Sequence, residues 1–153
     1  MIYLSVRRLF PALPGLLAGL ALTASALAID NPDTPDIVAQ FEARAQPFEA
    51  RIGEAASVRE TALANGAYQR FLDGELNQAY QALAGKLGPT ERAALARSER
   101  SWLSYRDREF AFIDQNWTPE HFGLSAALSR GDYRSALVKQ RTVTLLQYLK
   151  NYP

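Results

Sequence analysis

The side chains best suited to catalysis are few in this chain and do not form a recognisable site. The sequence contains one histidine, His121, and no cysteine. Thiol chemistry and thiolate metal sites are therefore excluded, and ordinary zinc sites nearly so. Asp107 and Glu109 form a carboxylate pair of the kind common on protein surfaces, and neither a glycine-rich phosphate loop nor a nucleophile elbow occurs. We therefore expect no enzymatic activity, no cofactor and no bound metal.

Two arginines, Arg106 and Arg141, lie on helix faces that are otherwise apolar. Arg106 follows Trp102 by one helical turn, and Arg141 follows Leu137 by one turn. A buried guanidinium is costly unless its donors are paired, so each arginine needs acceptors from another helix. The alternative is that both arginines snorkel, burying their stems at the edge of the bundle and keeping their charge in water.

Candidate acceptors lie on the helix that precedes Arg106. Asp73, Asn77 and Tyr80 stand at i, i+4 and i+7 beside a stripe of leucines. Glu99, about one turn before Trp102 on the same helix as Arg106, is a further candidate. A polar network inside a bundle can fix the register of the helices that contribute to it. The predicted members of such a network are Asp73, Asn77, Arg106 and Arg141.

The elements that must position these residues are all predicted to be helices. Apolar residues recur at steps of three and four over residues 37–52, 60–87, 90–116 and 133–149. Thr118, followed by proline and glutamate, predicts a further short helix. Because no stretch alternates with the period of two that is typical of a strand, we predict an all-α protein. The short connections favour an up-and-down antiparallel helical bundle of about four to five helices.

Caps, glycines and prolines predict where these helices begin, end or break. Thr34 is predicted to cap the first helix, and Pro47 should kink that helix or split it. Gly66 is a possible break in the second helix. Gly88, followed by a proline, is predicted to end the second helix at its C′ position. Gly131 is predicted to interrupt the chain before the last helix.

The N-terminal end reads as a cleavable signal peptide. Arg7 and Arg8 supply a positive n-region, residues 9–22 form an apolar run, and Ala26-Leu27-Ala28 presents a small-x-small cleavage pattern. We expect export by the Sec route to the periplasm or the exterior, with cleavage after Ala28. The alternative is a retained membrane anchor.

Removal of that leader leaves 15 basic and 16 acidic residues, a net charge of about −1. Both signs are interspersed, which favours neither nucleic-acid binding nor a solvating acidic tail. We expect no membrane span after cleavage, and the oligomeric state stays open. The predicted organisation is a signal peptide over residues 1–28, an N-terminal extension with a proline-kinked helix over 29–58, and a helical domain over 59–153.

The polar residues described above belong to two motifs that resemble those of a known family. The motifs read Asp73-x-x-Leu76-Asn77-x-x-Tyr80 and Glu99-Arg100-x-Trp102-Leu103-x-Tyr105-Arg106-Asp107, with Arg141 in the closing helix. Together they resemble the N-terminal domain of lysozyme inhibitor LprI, also catalogued as a domain of unknown function, over roughly residues 60–150. The resemblance implies a helical envelope protein that binds a protein partner.

This chain departs from that family in its cysteines. Members usually carry cysteines where this chain has Phe110 and Tyr133, and often a third near Ala64. The disulfides that the resemblance would imply are therefore absent, while the implied helical fold is unaffected. Phe110 and Tyr133 are expected to form an aromatic contact in their place.

The family name implies that the partner is a lysozyme. Lysozymes are cationic and have an acidic cleft, so an inhibitor needs an element that protrudes into that cleft. The candidate is the connection WTPEHFG, with Trp117, Glu120, His121 and Phe122 as contact residues. The alternative is that Trp117 and Phe122 are buried anchors of a helix start. The alternative function is that of an interaction or stress-related envelope protein that does not inhibit lysozyme.

Overall fold

A computed structural model describes residues 36–152, which form five helices and no strand. The helices are α1 (Ile37–Glu54), α2 (Val58–Lys86), α3 (Pro89–Asn116), α4 (Pro119–Phe122) and α5 (Ser125–Leu149). The all-α prediction is confirmed. The predicted signal peptide lies outside the described residues, and none of the five helices combines the length and apolarity needed to cross a membrane.

The first helix is capped two residues later than predicted. Oδ1 of Asp36 accepts hydrogen bonds from the backbone N–H groups of Val38 at 3.0 Å and Ala39 at 3.2 Å. A carboxylate satisfies the free N–H groups and interacts favourably with the positive end of the helix dipole. These contacts lower the pKa of Asp36, with the N–H of Ala39 as the largest cause.

The predicted split at Pro47 and break at Gly66 are absent, because both positions lie inside continuous helices. Pro47 is an exposed residue within α1, which is not split, and Gly66 lies within α2. Gly88 does follow the C-cap residue of α2, as predicted, but its φ of −65° is not left-handed. Gly88 instead serves as the N-cap residue of α3, with Pro89 at the first helical position.

Gly131 was also expected to break the chain, and it lies inside α5 instead. A Cβ atom added to Gly131 would lie 2.1 Å from Nδ2 of Asn65 on α2. Glycine is therefore required by the close approach of two helices and not by a turn. Asn65 is buried at this crossing.

The long helices alternate in direction along the chain. Phe48 contacts Tyr68 and Arg44 contacts Glu75, so α1 and α2 are antiparallel. The most extensive interface, however, joins α2 and α5, and these two helices are parallel. Gln69 donates a hydrogen bond to Ser135 at 2.6 Å, four residues beyond the crossing of Asn65 and Gly131 on both helices.

The hydrophobic core lies mainly between α1, α2 and α5. Its members are Phe41, Ala45, Tyr68, Leu72, Leu76, Ala79, Leu83, Val138, Leu145 and Leu146. On the α1 side, the aromatic rings of Phe41, Phe48, Tyr68 and Phe71 stack with centroid separations between 4.5 and 6.3 Å. The best-buried residues of α3 are Glu99 and Ile113, so this helix is less embedded than its neighbours.

Helix α5 is buried on more than one face. Val138 and Thr142 are fully buried, whereas Leu137 and Arg141 are partly buried and Tyr148 is half exposed. The reason is that α5 packs against α2 on one side and α3 on another. Helix α5 therefore carries two contact faces, and Arg141 lies on the one that meets α3.

Candidate functional site

Arg141 forms the best-shielded ion pair that joins α3 to α5. Its Nε and Nη2 atoms donate to Oε2 of Glu99 at 3.0 and 2.7 Å. The two side chains are only 12% and 11% exposed. The guanidinium carbon also lies 5.8 Å from the centre of the Trp102 ring. Glu99 had been only a further candidate acceptor in the sequence, and it is the partner that Arg141 uses.

Arg106 pairs with a neighbour on its own helix. Its Nε and Nη2 atoms donate to Oδ1 of the adjacent Asp107 at 3.0 and 2.7 Å. The guanidinium carbon lies 5.7 Å from the ring centres of both Trp102 and Phe110. Arg106 is therefore packed on aromatic surface with its charge near solvent, which corresponds to the snorkelling alternative.

Asp73 and Asn77 are exposed on α2. Within residues 36–152, no hydrogen bond joins either side chain to Arg106 or Arg141, so the predicted four-residue network does not form. The physical reason is that α2 and α3 have few contacts with each other. Asp73 on α2 therefore does not reach Arg106 on α3, while Arg141 on α5 is paired with Glu99.

A groove of about 400 Å³ occupies the space between α2 and α3. It is lined by Asp73, Leu76, Asn77, Tyr80, Ala96, Glu99, Arg100, Leu103 and Arg106. The structure thus brings most of the motif residues to one groove without joining them by hydrogen bonds. Of the remaining motif positions, Tyr105 and Asp107 face solvent and Trp102 is half-buried.

The connection between α3 and α5 forms a tip at one end of the bundle. The ring of Trp117 lies 4.6 Å from that of Tyr133, 6.1 Å from that of Phe122 and 5.9 Å, edge-on, from that of Phe112. Arg130 donates a hydrogen bond to the Trp117 carbonyl. Trp117 is therefore a half-buried anchor that holds the tip in place.

The rest of the tip is exposed. Phe122 is 44% exposed and Leu124 is 80% exposed, and no residue of α4 is buried. Gly123, with φ of 57°, turns the chain from α4 towards α5. The structure thus divides the two aromatic residues of WTPEHFG: Trp117 acts as an anchor, whereas Phe122 faces outward.

Glu120 and His121 are the titratable groups of the tip, and both are exposed. Hydrogen bonding by the Thr118 side chain lowers the pKa of Glu120, so this carboxylate is ionised at neutral pH. Nδ1 of His121 lies 3.5 Å from the Thr118 hydroxyl oxygen. These two groups place polar atoms beside the aromatic surface, where they can give an interface its orientation.

Sequence reasoning missed that the apolar surface extends beyond the WTPEHFG connection. Phe112, Leu128 and Tyr133 are 54%, 41% and 48% exposed. The density of aromatic residues around Trp117 was the available signal. The expected contact between Phe110 and Tyr133 was wrong, because Tyr133 packs on Trp117 while the Phe110 ring lies 5.0 Å from the guanidinium carbon of Arg134.

The chemistry of the tip suits binding to another protein. Over the described residues, no group of three or more histidine, cysteine, aspartate or glutamate side chains is placed to hold a metal ion. A cluster of exposed aromatic and aliphatic side chains with a few polar neighbours is the composition of an interface centre.

Comparison with known proteins gives one match. No curated protein and no solved structure matches the chain. The family model of lysozyme inhibitor LprI matches residues 51–145, which span the end of α1, all of α2, α3 and α4, and most of α5. The resemblance found in the motifs is confirmed, and the chain belongs to the lysozyme inhibitor LprI family.

Proposed function

We propose that this protein is an exported, non-enzymatic inhibitor that binds a lysozyme through the tip between α3 and α5. The observation that carries the proposal is the outward position of Phe122 and Leu124 at the end of the bundle. Membership of an inhibitor family supplies the class of partner.

The tip is built to present apolar side chains in a defined position. Phe122 stacks on the anchored Trp117 with an angle of 24° between the ring planes. An aromatic side chain that is already held by a neighbour loses little conformational freedom on binding, and such residues are enriched at the centres of interfaces. Exposed apolar clusters of this kind mark interaction sites.

The shape of the tip suits a cleft. Helix α4 has four residues, which corresponds to a length of about 6 Å. This short helix carries Glu120, His121 and Phe122, all of them exposed. Because the mature chain has almost no net charge, apolar contact would supply more of the affinity than long-range attraction. Inhibition should therefore depend only weakly on salt concentration.

An inhibition assay tests this function directly. The purified protein is titrated into chicken-type, goose-type and invertebrate-type lysozymes, and lysis of bacterial cell walls is followed by turbidity. We expect inhibition of at least one class. If none is inhibited, lysozyme is not the partner, and the other function, binding to a different envelope protein, becomes the better explanation.

A matched pair of variants tests the role of the tip. We expect Phe122→Ala to weaken inhibition by about tenfold or more, because it removes a central aromatic contact. Tyr148→Ala is the control, since Tyr148 is 50% exposed but lies near the other end of α5. Equal inhibition by Phe122→Ala, Tyr148→Ala and the unaltered protein would place the contact surface elsewhere.

Export and domain organisation form part of the same proposal. We propose that residues 1–28 are removed as a signal peptide and that residues 29–58 are an extension of the helical domain over 59–153. In support, the Phe48 ring of α1 packs 4.5 Å from that of Phe71 on α2. N-terminal sequencing of the protein recovered from a bacterial periplasm should begin at Ile29; an intact N-terminus would contradict cleavage.

A further inference from the structure

The groove between α2 and α3 contains polar groups that neither the tip nor the core uses. Asp73, Asn77 and Arg100 line it from the two helices. All three are exposed, and among residues 36–152 their side chains have no hydrogen-bond or ion-pair partner. Glu99 and Arg141 contrast with them, because those two side chains are paired with each other. These three groups can therefore bind a ligand without giving up a contact that stabilises the fold.

We propose that this groove binds the carboxyl-terminal end of a short peptide with free termini. Its volume, about 400 Å³, lies within the range of pockets that hold small ligands. Its lining combines apolar side chains with a few polar groups that converge from two sides. This proposal does not depend on the tip or on lysozyme as a partner.

The side of the groove formed by α3 carries the groups that would bind the carboxylate of the peptide. Arg100 and Arg106 carry donors only, and guanidinium groups form their strongest hydrogen bonds with carboxylate or phosphate oxygens. Arg106 uses Nε and Nη2 on Asp107, which leaves Nη1 available to a ligand. Arg100 has its whole guanidinium available.

The α2 wall supplies the opposite chemistry. The Asp73 carboxylate accepts hydrogen bonds and favours an ammonium or N–H group. The Asn77 amide can both donate and accept, as a peptide unit does. Leu76 and Leu103 add apolar surface for a small side chain. The C-terminal end of a peptide offers a carboxylate, peptide groups and a side chain. In a short peptide, the N-terminal ammonium group lies nearby as well.

The charge balance favours a zwitterion over a phosphate. Of the charged groups in the groove lining, Glu99 is paired with Arg141 and Arg106 with Asp107, so Arg100 and Asp73 remain as one charge of each sign. A doubly charged anion would meet the Asp73 carboxylate as well as the guanidiniums. A ligand with one charge of each sign complements both walls.

Two-dimensional amide NMR of the purified protein tests the proposal, with trialanine as the probe. We expect saturable shifts confined to residues around the groove and a Kd on the order of 1 mM or below. The C-terminal amide of trialanine should bind at least about tenfold more weakly, because it lacks the charged acceptor. Inorganic phosphate should bind more weakly than trialanine.

Two variants and a control assign the contacts. Arg100→Gln and Asp73→Asn should each weaken binding of trialanine by about fivefold to tenfold. Arg97→Gln is the control, since Arg97 is an exposed arginine on the same helix that does not line this groove. All three positions are exposed, and the dispersion of the amide spectrum verifies folding.

Three results would overturn the proposal. They are the absence of shifts up to about 10 mM trialanine, equal binding of the C-terminal amide, and phosphate binding that is tighter than that of the peptide. Shifts that map to the tip instead of the groove would overturn it as well.

Discussion

Replacing Arg141 by alanine tests how α3 is held to the rest of the bundle. Arg141 is the closest partner of Glu99, and the side chains are 12% and 11% exposed. Arg141→Ala removes both hydrogen bonds and leaves the Glu99 carboxylate shielded without a partner. We therefore expect a large loss of stability from this single change.

The magnitude follows from burial. Removing one partner of a buried pair costs about 3 to 5 kcal/mol. Because about a tenth of each side chain still reaches solvent, as their exposures show, the lower end of that range applies. Loss of the guanidinium over the Trp102 ring adds about 0.5 to 1 kcal/mol. The free energy of unfolding should fall by about 3 to 4 kcal/mol.

Urea unfolding followed by tryptophan fluorescence and circular dichroism measures this loss. With a slope of about 1.5 to 2 kcal/mol per molar urea for a chain of this size, the midpoint should fall by about 2 M. A double variant, Glu99→Leu with Arg141→Met, should recover most of the loss, because apolar residues of similar volume often replace a buried pair without cost.

Arg106→Ala is the matched control. Arg106 pairs with Asp107, whose side chain is 64% exposed, so a loss of only about 1 kcal/mol is expected, chiefly from packing on the neighbouring rings. If Arg141→Ala and Arg106→Ala were equally mild, the pair between Arg141 and Glu99 would not hold α3 in place. If the double variant were as unstable as Arg141→Ala alone, loss of the partner would not be the cause.

Three further predictions concern the remaining helices. Gly131→Ala should lower the free energy of unfolding by about 1 to 2 kcal/mol, because its Cβ would meet Asn65 at 2.1 Å; in an Asn65→Ala background, the same change should be neutral or stabilising in urea unfolding. The pKa of Glu49 is lowered, chiefly by the Tyr68 hydroxyl, so its contribution is present above the ordinary glutamate range and is lost as the pH falls through the lowered pKa. The urea midpoint of Glu49→Gln should accordingly fall less than that of the unaltered protein between pH 6 and pH 3, and parallel curves would contradict this. Pro47→Ala should raise the thermal midpoint of unfolding, because an exposed proline inside α1 prevents one helical hydrogen bond and costs about 3 kcal/mol relative to alanine. A smaller opposite effect arises because proline restricts the unfolded chain. An unchanged or lower midpoint would show that α1 has accommodated the proline without strain.

The sequence by itself determined the class of fold and most helix boundaries. Steps of three and four between apolar residues reflect the helical repeat, which depends only on neighbouring residues. Gly88 and the proline after it separate α2 from α3, and Thr118 precedes α4, because caps and proline act within one turn. The motifs around Asn77 and Trp102 were sufficient to recognise the family. These signals depend on neighbouring residues in the sequence and not on what the helices pack against.

The tertiary structure decided which polar groups meet. Arg141 pairs with Glu99 because α3 and α5 are adjacent, whereas the groove between α2 and α3 separates Asp73 from Arg106. In the sequence Gly131 looks like a break between helices. In the structure it is the point where α5 approaches Asn65 of α2. A periodic pattern specifies the face of a helix but not the neighbour, direction or distance of that face, because those depend on how all the helices share one core.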